Sequence, residues 1–222
     1  MLSLSQYIDH TILKQTTTDA DVEQLVKEAK HFSFMAVCVP PIFVSKAKNF
    51  LGRSDVQLVT VVGFPFGYHT LQTKVEEVQQ AILDGAQELD VVHNISALKC
   101  KNYNALETEI GTLTSIIHDE GLKIKVIVES GILSEEELKI CCEIYSGLGI
   151  DYMKTSTGFA EIGATEFAVS FMKKNLPETT KIKASGGIRT LDFAEKLILA
   201  GASRLGTSSG VALMKALTDK NA

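Results

Sequence analysis

Two short strand-like runs each place a lysine where a core residue belongs: Asp151-Tyr-Met-Lys154-Thr-Ser-Thr-Gly158 and Lys181-Ile-Lys183-Ala-Ser-Gly-Gly187. Lysine is seldom fully buried unless something compensates its charge. Two lysines on neighbouring strands depress one another's pKa, because like charge and desolvation both disfavour the ammonium. A neutral amine near pH 7 is the nucleophile that forms a Schiff base with a carbonyl. The pair therefore points to carbonyl chemistry of the aldolase type. Lys154 has a competing reading, a strand-end lysine snorkelling to solvent among small polar neighbours. Lys183 shares its strand face with Lys181, so one of those two belongs at the non-catalytic end, and Lys183 lies closer to the Gly-Gly turn.

A third candidate is Asp90, in Glu88-Leu-Asp-Val-Val-His-Asn94. Strand alternation puts Asp90 and Val92 on one face and Leu89 and Val91 on the other. If Leu89 and Val91 pack outward, Asp90 points inward, where a carboxylate can move protons directly or through a water. A buried acid that only pairs with a lysine fits the same position.

These residues need a scaffold, and the chain supplies a regular one. Strand-like runs are Met35–Val39, Val56–Gly63, Glu88–Val92, Lys123–Glu129, Tyr152–Thr157, Lys181–Ser185 and Ser203–Thr207, with a weaker one at Tyr7–Ile12. Between them lie helical patterns, such as Leu71, Val75, Val78 and Ile82, or Leu106, Ile110, Leu113 and Ile117. Ser134-Glu-Glu-Glu137 reads as a capping box and Thr190 as a helix start, while Gly85, Gly121, Gly149 and Gly201 read as left-handed helix stops. Eight βα units of about 28 residues predict a closed (β/α)8 TIM barrel, a single domain over residues 1–222. The competing doubly wound sheet needs phosphate-binding glycines after its first strand. Here the early strands lead into Val39-Pro-Pro-Ile42 and Gly63-Phe-Pro-Phe-Gly67 instead.

In such a barrel the strand carboxyl ends carry catalysis, and the loops after strands seven and eight often hold phosphate. Those loops are Ser185-Gly-Gly-Ile-Arg189 and Gly206-Thr-Ser-Ser-Gly210. Each enters a helix, so Gly186, Gly187, Gly206, Ser208 and Ser209 offer backbone N–H groups and hydroxyls to an anion.

The net charge of −5 gives no general attraction for nucleic acid or acidic membranes. Cys38, Cys100, Cys141 and Cys142 show no metal-finger spacing, and His10, His69, His93 and His118 form no ligand cluster. No cofactor and no metal are expected. The amino terminus lacks the marks of a signal peptide and no run approaches membrane-spanning length, so a cytoplasmic protein is expected.

The ordered motifs resemble the deoxyribose-phosphate aldolases, class I Schiff-base-forming enzymes on a (β/α)8 barrel. The likeness runs through Ile8-Asp-His-Thr-Ile12, Ala36-Val-Cys-Val-Pro40, Gly63-Phe-Pro-Phe-Gly67, Glu88-Leu-Asp-Val-Val92 and Val126-Ile-Val-Glu-Ser130. It ends in the two lysine segments and Arg204-Leu-Gly-Thr-Ser-Ser209. It implies reversible cleavage of 2-deoxy-D-ribose 5-phosphate to acetaldehyde and D-glyceraldehyde 3-phosphate. Lys154 matches the Schiff-base lysine, Lys183 the lysine that lowers its pKa, and Asp90 the proton-relay aspartate. Gly186, Gly187, Gly206, Ser208 and Ser209 match the phosphate loops. Asp9 and Cys38 match motif positions near the barrel mouth.

The chain departs from some members of that family in having Phe159 where they carry a lysine, and in ending without a tyrosine. The expected partner is a small phosphosugar, with self-association as a dimer or tetramer. Two other readings share the features: another Schiff-base barrel, such as a transaldolase-like enzyme or a keto-sugar-acid aldolase, and a non-catalytic phosphate-ligand-binding barrel.

Overall fold

The structure, a computed structural model, describes residues 3–221. Eight parallel strands close on themselves in sequence order. They are β1 (Ile8–Thr11), β2 (Ala36–Val39), β3 (Gln57–Val62), β4 (Glu88–Val92), β5 (Lys123–Ile127), β6 (Tyr152–Lys154), β7 (Lys181–Ser185) and β8 (Arg204–Thr207). β1 pairs with both β2 and β8, with Asp9 opposite Ala36 on one side and Gly206 on the other, so no open edge remains. This closure excludes the doubly wound sheet.

Helices cover the outside: α1 (Asp19–Phe32), α2 (Val44–Leu51), α3 (Leu71–Leu83), α4 (Ile95–Lys99), α5 (Tyr103–Asp119), α6 (Glu135–Ser146), α7 (Glu166–Asn175), α8 (Leu191–Leu199) and α9 (Gly210–Asn221). Their starts follow the side chains that can accept from free N–H groups. Ser134 and Glu137 form the expected capping box, Thr18 and Asp21 form a second one, and Thr190 accepts from the Phe193 N–H. Gly85, Gly121, Gly149 and Gly201 all take positive φ beyond their helices.

The main core lies between strands and helices. Leu106, Ile110, Leu113 and Ile117 of α5 are fully buried in it, each stabilising by about 1.5–3 kcal/mol. Leu89 and Val91 face this layer, which turns Asp90 to the barrel interior. A small second apolar cluster, Ala36, Cys38, Val59 and Val61, fills the β2–β3 side of that interior.

Two expectations need correction. The fully buried face of α3 is Lys74, Val78 and Ala81, with Leu71, Val75 and Ile82 only half-buried beside it. The buried Lys74 is tolerated because its Nζ meets Glu109 Oε1 at 2.9 Å and the Val92 carbonyl at 2.8 Å. Second, β5 and β6 stop at Ile127 and Lys154, short of the expected Glu129 and Thr157. The ladder ends there because Glu129 adopts a left-handed backbone, φ 53°, ψ 54°. Among the described residues no helix is long and apolar enough to cross a membrane.

Candidate active site

The strands send three carboxylates and four basic groups into the barrel: Asp9, Glu88, Asp90, Lys125, Lys154, Lys183 and Arg204, all buried. Buried charges survive only when paired and hydrogen-bonded, and six of these form a closed ring of alternating sign. Asp90 Oδ2 lies 2.7 Å from Lys183 Nζ, which lies 2.6 Å from Asp9 Oδ2. Asp9 Oδ1 accepts from Arg204 Nε at 2.6 Å, and Arg204 Nη2 donates to Glu88 Oε2 at 2.9 Å. Glu88 Oε2 meets Lys125 Nζ at 2.6 Å, and Lys125 returns to Asp90 Oδ1 at 2.9 Å. Lys154 is the seventh charge. Its Nζ hangs from the ring on Asp90 Oδ2 at 2.8 Å.

The ring is neutral with three charges of each sign, so a charged Lys154 is the one surplus cation. The pKa values follow. Burial pulls Lys154 below the ordinary lysine range; the Asp90 carboxylate opposes this, and the Lys183 ammonium adds to it. Burial acts on Lys183 too, but Asp9 and Asp90 outweigh it and hold that amine charged. The expected mutual depression is therefore one-sided, because Lys183 has two carboxylates and Lys154 shares one. Asp90 is held well below the carboxylate range, since Lys125, Lys154 and Lys183 overcome its burial.

Above the ring opens a cavity of about 490 Å³. Lys154 lies on its wall with Thr157, Gly158 and Phe159, opposite the loops after β7 and β8. Lys183 and Asp90 do not line the cavity and sit behind Lys154. Lys154 alone among the ring and its pendant is both depressed in pKa and open to a ligand. The snorkelling reading fails, because the Lys154 amine turns inward to Asp90.

Gly186, Gly187, Gly206 and Ser208 line the cavity; Ser209 does not. The Ser209 N–H donates to Thr207 Oγ1 at 2.9 Å, and its carbonyl accepts from Leu213 as α9 begins. Two glycines have packing reasons beyond anion approach. A Cβ on Gly186, φ 88°, would sit 3.0 Å from the Gly163 Cα of the loop after β6, and one on Gly206 would sit 2.9 Å from Ser185 Cβ and 3.2 Å from Lys183 Cε. Arg189 and Lys14 bring exposed cations to the same wall.

Asp9 lies buried inside the barrel rather than at its mouth. Cys38 lies in the interior apolar cluster with its thiol pushed up to about 11, first by burial and then by Asp90. Sequence reading assigned no role to Lys125, Glu88 or Arg204. Lys123-Ile-Lys125 repeats the spacing of Lys181-Ile-Lys183, and that repeat is the signal that could have found it. Among the described residues no three His, Cys, Asp or Glu side chains are grouped to hold a metal.

The sequence model described as DeoC/LacD family aldolase matches residues 3–216. The deoxyribose-phosphate aldolase of Lactococcus lactis subsp. lactis (strain IL1403) is 42% identical over 220 residues, 99% of each chain. That of Streptococcus suis (strain 98HAH33) is 45% identical over 213 residues, 96% of each. The deoxyribose phosphate aldolase of Aeropyrum pernix, described as having a unique tetrameric structure, superposes with a TM-score of 0.91. It is 31% identical, with 98% of this chain and 92% of that one covered. A barrel with a surplus amine at its mouth, matched along nearly its whole length by these relatives, belongs to the DeoC/LacD family of aldolases.

Proposed function

We propose that this aldolase cleaves 2-deoxy-D-ribose 5-phosphate reversibly to acetaldehyde and D-glyceraldehyde 3-phosphate, with Lys154 as the Schiff-base nucleophile. The observation that carries the reading is that Lys154 is the one cation outside a balanced ring and lies on the cavity wall. Its neutral amine attacks C1 of the open-chain sugar, and loss of water leaves a protonated imine. Removal of the C3 hydroxyl proton breaks the C2–C3 bond, whose electron pair flows into the imine to give an enamine. Glyceraldehyde 3-phosphate leaves, C2 takes a proton, and hydrolysis of the imine releases acetaldehyde and restores Lys154.

Asp90 and Lys183 supply the base and acid, directly or through a water, a role worth roughly 10²–10⁴-fold. The loops Ser185–Arg189 and Gly206–Gly210 grip the phosphate, orienting the reacting carbons with binding energy remote from them. Self-association as a dimer or tetramer, and residence in the cytoplasm, belong to the same reading; light scattering reports the assembly.

Borohydride reduction in the presence of substrate, followed by peptide mapping, tests the assignment. The adduct belongs on Lys154. An adduct on Lys183 reverses the two lysines, and none at all leaves a non-catalytic phosphate-binding barrel.

A further inference from the structure

The strand after Ile127 contains a defect whose consequences reach the cavity. The Val128 N–H donates to the Lys154 carbonyl at 3.0 Å, and a regular parallel ladder would then join Ser130 to residue 156. Instead the Ser130 N–H donates to the Thr155 carbonyl at 2.7 Å, so two residues on one side span a single step on the other. The displaced ladder is repaired by a side chain. The Ser185 N–H, which in a regular ladder would donate to the Thr155 carbonyl, donates instead to Thr155 Oγ1 at 3.0 Å.

The slip centres on Glu129, a residue with a Cβ held in the left-handed region, which costs about 1–3 kcal/mol and persists only when surroundings over-determine it. Its carboxylate, 4% exposed, accepts from the Thr157 N–H at 3.2 and 3.3 Å and also from the Thr157 hydroxyl. That hydroxyl oxygen in turn accepts from the Phe159 N–H at 3.1 Å. One carboxylate thus ties down the segment that carries Thr157, Gly158 and Phe159 to the cavity wall. A solvent-facing strand-end glutamate is not buried, strained or bonded in this way.

We infer that Glu129 is a positioning residue that shapes the substrate-binding wall after Lys154 by holding Thr157 through a left-handed break in the sheet. It touches no reacting atom. The inference rests on the proposed cleavage at Lys154, and its effect falls on substrate binding rather than on the chemical step.

Three variants test it against wild type, by steady-state kinetics on deoxyribose 5-phosphate, borohydride trapping and thermal melting. Glu129→Gly keeps the left-handed turn at little steric cost but removes the carboxylate. Hydrogen bonds to a charged group are worth about 1.5–3 kcal/mol, so KM should rise roughly 10- to 150-fold, with kcat changing far less. Glu129→Gln keeps an acceptor oxygen and should recover part of the KM. Thr157→Val, which loses only the hydroxyl, should raise KM in the same direction and carries the test should Glu129→Gly not fold. At saturating substrate every folded variant should still trap on Lys154. An unchanged KM, or a kcat loss with KM intact, overturns the inference while leaving the trapped wild type's chemistry standing. A wild type that does not trap overturns the Lys154 reading and this inference with it.

Discussion

Lys154 and Lys183 donate to the same oxygen, Asp90 Oδ2, at 2.8 and 2.7 Å. Lys183 has Asp9 as a second partner and keeps its proton, so the repulsion between the amines is relieved at Lys154. A lysine pulled below its ordinary pKa becomes neutral, and nucleophilic, at lower pH. The kcat/KM should therefore climb with pH through a value below the ordinary 10.5 for lysine. Lys183→Met removes the nearby charge and leaves Asp90 Oδ2 to Lys154, with Lys125 still on Oδ1, which raises the amine. The ascending limb should move to higher pH, with a loss at pH 7 of roughly 10²–10⁴-fold. A loss of rate with an unmoved limb would confine Lys183 to proton transfer.

Lys125 should matter for stability as much as for catalysis. Removing one partner from a buried ion pair typically costs about 3–5 kcal/mol, because the other charge is left uncompensated. Lys125→Met leaves three ring carboxylates facing two ring cations, so urea unfolding should show a loss of that order. A loss under about 1 kcal/mol, the level of an exposed pair, would mean that water reaches the ring.

The phosphate should depend more on Ser208 than on Ser209, since Ser208 faces the cavity and Ser209 is engaged in starting α9. Ser208→Ala should lower kcat/KM for the phosphorylated sugar roughly 10-fold or more. Use of unphosphorylated deoxyribose should hardly change. Equal losses on both sugars would place the serine in support of the lysines.

His93 predicts an acid limb of stability. It is fully buried, its Nδ1 lies 2.7 Å from the Tyr145 hydroxyl, and burial, with the Lys74 charge, pushes its pKa down to about 3. The unfolded chain binds this proton near the ordinary pKa of 6.5, whereas the folded chain resists it. Stability contributed by the neutral ring is present above 6.5 and lost as pH falls toward 3, by up to about 1.4 kcal/mol per unit. In His93→Gln the slope of unfolding free energy against pH should shrink by one proton across that window. Parallel slopes in the two proteins would assign the acid sensitivity to other groups.

Lys154, Lys183 and Asp90 were legible because a charge interrupting a strand-like run has few explanations other than a compensated interior. Lys125 carries the same mark, but only the register, which sets it opposite Asp90, gives it meaning. Lys74 carries no mark at all. It sits among helix residues whose apolar periodicity points one position away, and its partner is 35 residues further on. The early ends of β5 and β6 were likewise hidden, because a left-handed glutamate leaves no trace in composition, whereas the left-handed glycines at helix ends did.

The charge ring has a consequence for how the chain can fold. Every anion in it comes from β1 and β4, and every cation from β5, β7 and β8. A half-barrel of β1–β4 would bury three carboxylates without a counter-ion, and one of β5–β8 four basic groups. Neither half can stand as an independent folding unit, although each could template the other. The contact between Asp9 and Arg204 spans 195 residues, so the interior becomes tolerable only when the last strand meets the first. Separately expressed halves should thus be unfolded alone and gain cooperative structure on mixing, with the electrostatic mismatch of each half serving as the specificity for its mate.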